Sequence, residues 1–213
     1  MSSMAALTRL FPDMRAVFRY ETGWQRILLE REAHMTTSEE PEQAARPTQP
    51  ARPSKQPITQ LAGPYGHPFH PIMVTVPIGA WVASFVFDIA SLTVAEPEPF
   101  TFGSRWLIGI GVVGAVVAAV LGLLDFLTIP RKTAARRTGL THAALNVAVV
   151  VLFAVSFAMR LGQPADVPVD ATLVVLSVVA LAALGASGWL GGKLAYRYGV
   201  RVADEETQAE GYR

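Results

Sequence analysis

The feature that most limits what this chain can become is an apolar run led by two His-Pro pairs, GPYGHPFHPIMVTVPIGAWVASFVFDIAS, from Gly63 to Ser91. From Pro71 to Val94, Asp88 is the one charged residue. At 1.5 Å of rise per residue, these roughly 24 residues cross a hydrocarbon core of about 30 Å with some tilt. A soluble core helix is seldom so long and so apolar on every side. The run therefore reads as a membrane span, and the rest of the chain supplies three more.

The second span is expected over 104–129, where Pro130 stops it, the third over 139–161 and the fourth over 171–192. The fold class that follows is all-α: an up-down four-helix transmembrane bundle over 63–202, with a polar tail at 203–213. Before it, residues 36–62 carry Pro41, Pro47, Pro50, Pro53 and Pro57 among polar side chains. Such a stretch cannot bury enough surface to offset its ordering entropy, so a disordered linker is expected. Residues 1–35 lack the apolar centre of a secretory signal. They read either as a start-site extension, with translation beginning at Met35, or as a short amphipathic helix (Leu7, Leu10, Phe11, Met14, Val17, Phe18) on the membrane surface. Pro12 and Gly23 interrupt that pattern and favour the first reading.

Charge decides the orientation. Charged residues make up 16% of the chain, against roughly 25% in an ordinary soluble domain, and the net charge of +1 gives no electrostatic case for a nucleic-acid partner. Arg131, Lys132, Arg136 and Arg137 lie between spans two and three, whereas the other two loops, AEPEPFTFG and GQPADVPVD, are acidic. By the positive-inside rule the basic loop and both termini are cytoplasmic, in a multi-pass protein of the cell membrane. The absence of cysteine excludes disulfides, thiolate metal sites and a cysteine nucleophile.

Ionisable groups inside a membrane cost about 2.5–3.5 kcal/mol each on insertion scales, so each asks for a partner. His67, His70, Asp125, His142 and Asn146 all fall at the cytoplasmic ends of their spans. Asp125 and His142 flank the basic loop and can form a polar clamp, or Asp125 can pair with Arg131 or Arg137. Alternatively His142 with His67 or His70 ligates a metal or a haem iron, with Asp125 either a further ligand or, like Asn146, a group orienting an imidazole. His67 and His70 each precede a proline, which biases both away from helical geometry and weakens an i, i+3 chelate. A third reading is a proton or ion pathway through Asp125, His142 and Asp88. Asp88, near the outer end of span one, is expected to pair with Arg105 and fix the external hairpin.

Small residues mark close helix contacts: Gly114, Ala118 and Gly122 on span two, Gly185, Gly188 and Gly192 on span four. Pro77 removes a helical donor in span one, leaving a kink or an opening. Trp81, Trp106 and Trp189 read as interface anchors or packing residues. No nucleophile motif or phosphate loop occurs; GIGVVGAVVAAVLG lacks the preceding strand that a dinucleotide fingerprint needs. An enzyme is not expected.

The ordered set GHPFHPIMVTVPIGAW, FDIAS, GLLDF, TGLTHAALN and GGKLAYRYGVRV resembles the bacterial membrane family called domain of unknown function 2231, over Pro64 to Val202. The resemblance implies a small four-helix integral membrane domain and no particular activity, consistent with an accessory or structural subunit. Relatives joined to or found with redox proteins such as Rieske-type domains leave haem b open as a cofactor. A redox protein or a second copy is then a partner to consider beside the lipid bilayer.

Overall fold

The computed structural model describes residues 52–213, and every regular element in them is helical, with no strand. The expectations for 1–35 and 36–51 lie outside the described residues. The elements are α1 (Arg52–Lys55), a 3-10 turn (Gln60–Ala62), α2 (Phe69–Met73), α3 (Thr75–Ser91), α4 (Glu98–Leu127), α5 (Ala134–Leu161), α6 (Ala171–Gly192) running on through a π-helical turn (Lys193–Arg197), and α7 (Glu205–Ala209) with a closing 3-10 turn. Four stretches are long and apolar enough to cross a membrane: Phe69–Ser91, Glu98–Leu127, Ala134–Leu161 and Ala171–Arg197.

The first three spans start earlier than expected for local reasons, while the first two also end earlier, at Ser91 and Leu127. Pro97 caps α4 and Pro99 lies in its first turn, where a missing amide donor costs nothing, so the helix starts at Glu98 rather than at 104. The Thr133 side chain accepts from Arg136 N and starts α5 at Ala134, which makes Arg136 and Arg137 helical instead of loop residues. Arg136 stacks over Phe126 at 3.8 Å and donates to Phe126 O and Ile129 O, satisfying carbonyls at the end of α4. Pro77 interrupts the hydrogen-bond ladder of span one and separates α2 from α3 at Val74. Yet Val74 keeps right-handed helical angles, donates to His70 O and accepts from Ile78 N, so the span continues through it.

Round the bundle α3 packs on α4, α4 on α5, α5 on α6 and α6 on α3. Consequently α3 and α5 run in the same direction and face each other across the axis. At its middle, Trp81 lies flat on Phe153, with ring centroids 4.2 Å apart and planes 10° from parallel. Trp81 Nε1 also donates to Ile108 O at 3.3 Å. Gly111 makes that approach possible, since a Cβ there would sit 2.3 Å from the indole nitrogen. One turn on, Gly114 receives Val76 and Pro77, and further on Gly122 receives His70. The small face of span two is thus the seat of span one. On span four the contact is made by Gly191, against His142, while Gly185 and Gly188 meet nothing within 4 Å. Trp81 is core, whereas Trp106 and Trp189 point outward.

Part of the expected linker is ordered. Arg201, in the left-handed region at φ 58°, donates through its guanidinium to Ala62 O and Gly63 O and through its backbone N to Ser54 O. Lys55 Nζ reciprocates onto Val202 O and Ala203 O. The strap from 53 to 63 is therefore held by polar contacts from the far end of the chain, which its own composition does not announce. The tail is also partly structured, with Asp204 capping α7 and its N–H donating to Tyr65 Oη.

Candidate functional site

Span one and span three carry matching residues at a constant offset. Asp88 and Arg160 are 72 positions apart, and the same step relates His70 to His142, Trp81 to Phe153 and Ser84 to Ser156. Three of these four pairs touch or face one another across the axis. The bundle is a quasi-two-fold arrangement of two helical hairpins, with an ion pair near one end and an imidazole pair near the other.

At the first end Arg160 clasps Asp88 through two parallel bonds, each 2.8 Å. Ser104 donates to Asp88 Oδ1 and Ser177 to Oδ2, while Arg160 Nε donates to Ser156 Oγ at 3.2 Å. Asp88 is on α3, Ser104 on α4, Ser156 and Arg160 on α5 and Ser177 on α6, so one buried charge pair binds all four spans. This corrects the expected Asp88–Arg105 pair. Arg105 donates instead to Gln163 O at 2.7 Å in the loop after α5. Ser104 faces the axis, and the next residue is turned about 100° away on a helix, which carries Arg105 off the carboxylate.

At the other end His70 Nδ1 lies 2.9 Å from Ala118 O and His142 Nδ1 lies 2.8 Å from Ser187 O. A carbonyl oxygen only accepts, so both Nδ1 atoms are donors. In the neutral rings the lone pair is therefore on Nε2. The two rings have centroids 6.5 Å apart and planes at 88°. Ser187 Oγ also approaches His142 Nδ1 at 3.0 Å, and Asn146 Nδ2 donates to His142 Nε2 at 3.1 Å and to His142 O at 2.9 Å.

The remaining expected members disperse. His67 is exposed in the turn before α2, with Nδ1 3.4 Å from Tyr65 O. Asp125 pairs with neither His142 nor Arg131 or Arg137; its partner is Arg201, with Nε 2.7 Å from Oδ1, an ion-pair contact whose N–H is not aimed along the line. Among the described residues no three of His, Cys, Asp and Glu converge as metal ligands do. Arg160 and Arg201 are the residues that sequence reasoning missed. Arg160 stands alone at the end of α5, before an acidic loop, whereas Arg201 follows Lys193 and Arg197 beyond the last span, where it counts as a topology signal. The matching offset between Asp88 and Arg160 was the signal that could have found the first.

These elements define an integral membrane protein: a four-span helical bundle with a buried ion pair near one end and facing imidazoles near the other. The chain belongs to the family described as predicted membrane protein (DUF2231), whose profile matches residues 66–204. No curated protein and no solved structure matches it.

Proposed function

We propose that this protein is a non-enzymatic membrane subunit whose working part is a coordination site made by His70 and His142 on the bundle axis. The observation that carries the reading is the shared tautomer: both Nδ1 atoms are committed to backbone carbonyls, leaving both Nε2 lone pairs for an electrophile. Imidazole nitrogen suits iron, copper, nickel and zinc alike. His67 takes no part, and Asn146 holds the His142 lone pair until a ligand takes it.

The positive-inside rule puts the imidazole end at the cytoplasmic face, with both termini on that side. A partner on that side, a redox protein or a second copy, would meet the site from there. The Asp88 end supports a purely structural role, because each charge there is matched within the bundle. That closure also argues against a proton or ion path through Asp88.

Histidine-selective 15N NMR in detergent tests the premise. His70 and His142 are expected as Nδ1–H tautomers, and His67 as the ordinary solvent mixture. Finding Nε2–H forms at both sites removes the coordination reading. Thiol labelling of single-cysteine variants in intact cells, in a chain with no native cysteine, checks the orientation. A residue placed in the 131–133 turn should be shielded from an impermeant reagent, and modification of it from outside would invert the proposed topology.

A further inference from the structure

We infer that the ligand of the His70–His142 pair is a haem, held with its iron between the two Nε2 atoms; this rests on the coordination reading above. Ligand number is the first argument. A bare zinc ion takes four ligands in a structural site and three protein ligands in a catalytic one. Here two imidazoles face each other, and among the described residues no third His, Cys, Asp or Glu joins them. A haem iron brings four nitrogens of its own and needs only the two axial positions filled.

Spacing is the second argument. Two nitrogen–metal bonds of about 2 Å, with about 1.1 Å from each nitrogen to its ring centre, set coaxial imidazoles roughly 6.3 Å apart. The rings stand 6.5 Å apart. Edge-to-face ring contacts range over about 4.5–7 Å, and this pair stands where a bis-imidazole site requires it.

The surroundings agree. His70 and His142 come from one diagonal of the bundle, so a macrocycle normal to the line between them extends toward the other diagonal, α4 and α6. At that level those helices present Gly122 and Gly191, each in contact with one of the imidazoles. A Cβ at either position would meet the imidazole itself, so glycine lets each ring lie against its neighbouring helix and hold the orientation an axial ligand needs. Arg131, Lys132, Arg136, Arg137, Lys193 and Arg197 belong to the same end and supply positive charge for the porphyrin carboxylates. Each axial imidazole keeps its Nδ1 bond to a helix carbonyl, which fixes ring orientation and raises the basicity of Nε2. Only the Asn146 hydrogen bond to His142 Nε2 must be given up.

The test expresses the full chain with a tag free of histidine, supplies hemin during growth, and measures the detergent-purified protein by absorption and by metal analysis. One haem per chain is expected. The ferric iron should take one electron from dithionite with both axial bonds retained, giving the sharp bands of a six-coordinate ferrous haem. His70→Ala and His142→Ala should each abolish those bands, and His67→Ala should leave them intact. His142→Met keeps a ligand atom and should shift the bands rather than abolish them, which separates lost ligation from lost folding. A colourless protein that carries one equivalent of copper, nickel or zinc, lost in His70→Ala, overturns the haem and leaves the coordination reading standing. Neither haem nor metal at stoichiometric level overturns both. Haem retained in both alanine variants places the ligands elsewhere and also overturns the inference.

Discussion

Removing one partner of the Asp88–Arg160 clasp is the perturbation with the best-defined size. Arg160 is 1% exposed and Asp88 is fully buried, so Asp88→Leu leaves a guanidinium on the bundle axis with three serine hydroxyls around it and no anion. At an effective dielectric of about 20, unit charges 2.8 Å apart attract by roughly 6 kcal/mol, and part of that is offset by the cost of dehydrating both groups. Breaking a buried pair from one side costs about 3–5 kcal/mol in practice, and a membrane offers the orphaned charge no easier refuge. The double variant Asp88→Leu/Arg160→Leu removes both charges and should lie within about 1–2 kcal/mol of the parent, because the penalty of the unpaired ion disappears. Reversible unfolding in mixed dodecyl maltoside and SDS, followed by circular dichroism, gives all four corners of the cycle. A coupling of at least about 3 kcal/mol is expected. Single variants no worse than the double one would refute the reasoning, since the charges would then be solvated or paired elsewhere.

Other outcomes follow from the same contacts. Gly111→Ala places a Cβ 2.3 Å from Trp81 Nε1 and should cost about 1–3 kcal/mol, whereas Gly188→Ala enters open space and should be neutral within about 0.5 kcal/mol; one unfolding titration compares them. Arg201→Met should free the strap at 53–63, read as new protease cleavage between Lys55 and Gly63 in a chain that keeps its helical content. Asp204 is held below its usual 3.8 by the Thr207 amide and side chain and by Tyr65. Its folded value lies under the unfolded one, so its cap contributes fully above pH 3.8 and is lost as pH falls through the folded value. A probe on Tyr212→Cys should accordingly gain mobility only in that acid window.

The fold was largely legible because lipid leaves the backbone little choice. A run that must satisfy all its amides internally and stay apolar for 30 Å announces itself by composition alone. What composition cannot carry is which face of each helix looks inward. Asp88 was recognisable as a buried carboxylate, but its partner depended on rotation. Arg105 and Arg160 are both near the same end of the bundle, and only the second lies on the axis. Likewise three histidines stood at one end in sequence, yet the strap turns His67 outward while Gly122 and Gly191 draw His70 and His142 inward. The strap at 53–63 owes its order to Arg201, 146 residues beyond Lys55, and not to its own composition. Long-range polar ties of that kind have no local signature.

The central claim is that two imidazoles oppose each other across the axis with their planes nearly perpendicular. Low-temperature EPR of the ferric, haem-loaded protein reads that arrangement directly. Perpendicular axial rings predict a strongly anisotropic low-spin signal, absent in His70→Ala and in His142→Ala. A high-spin signal, or the ordinary rhombic low-spin signal of parallel rings, would contradict the geometry on which the account is built.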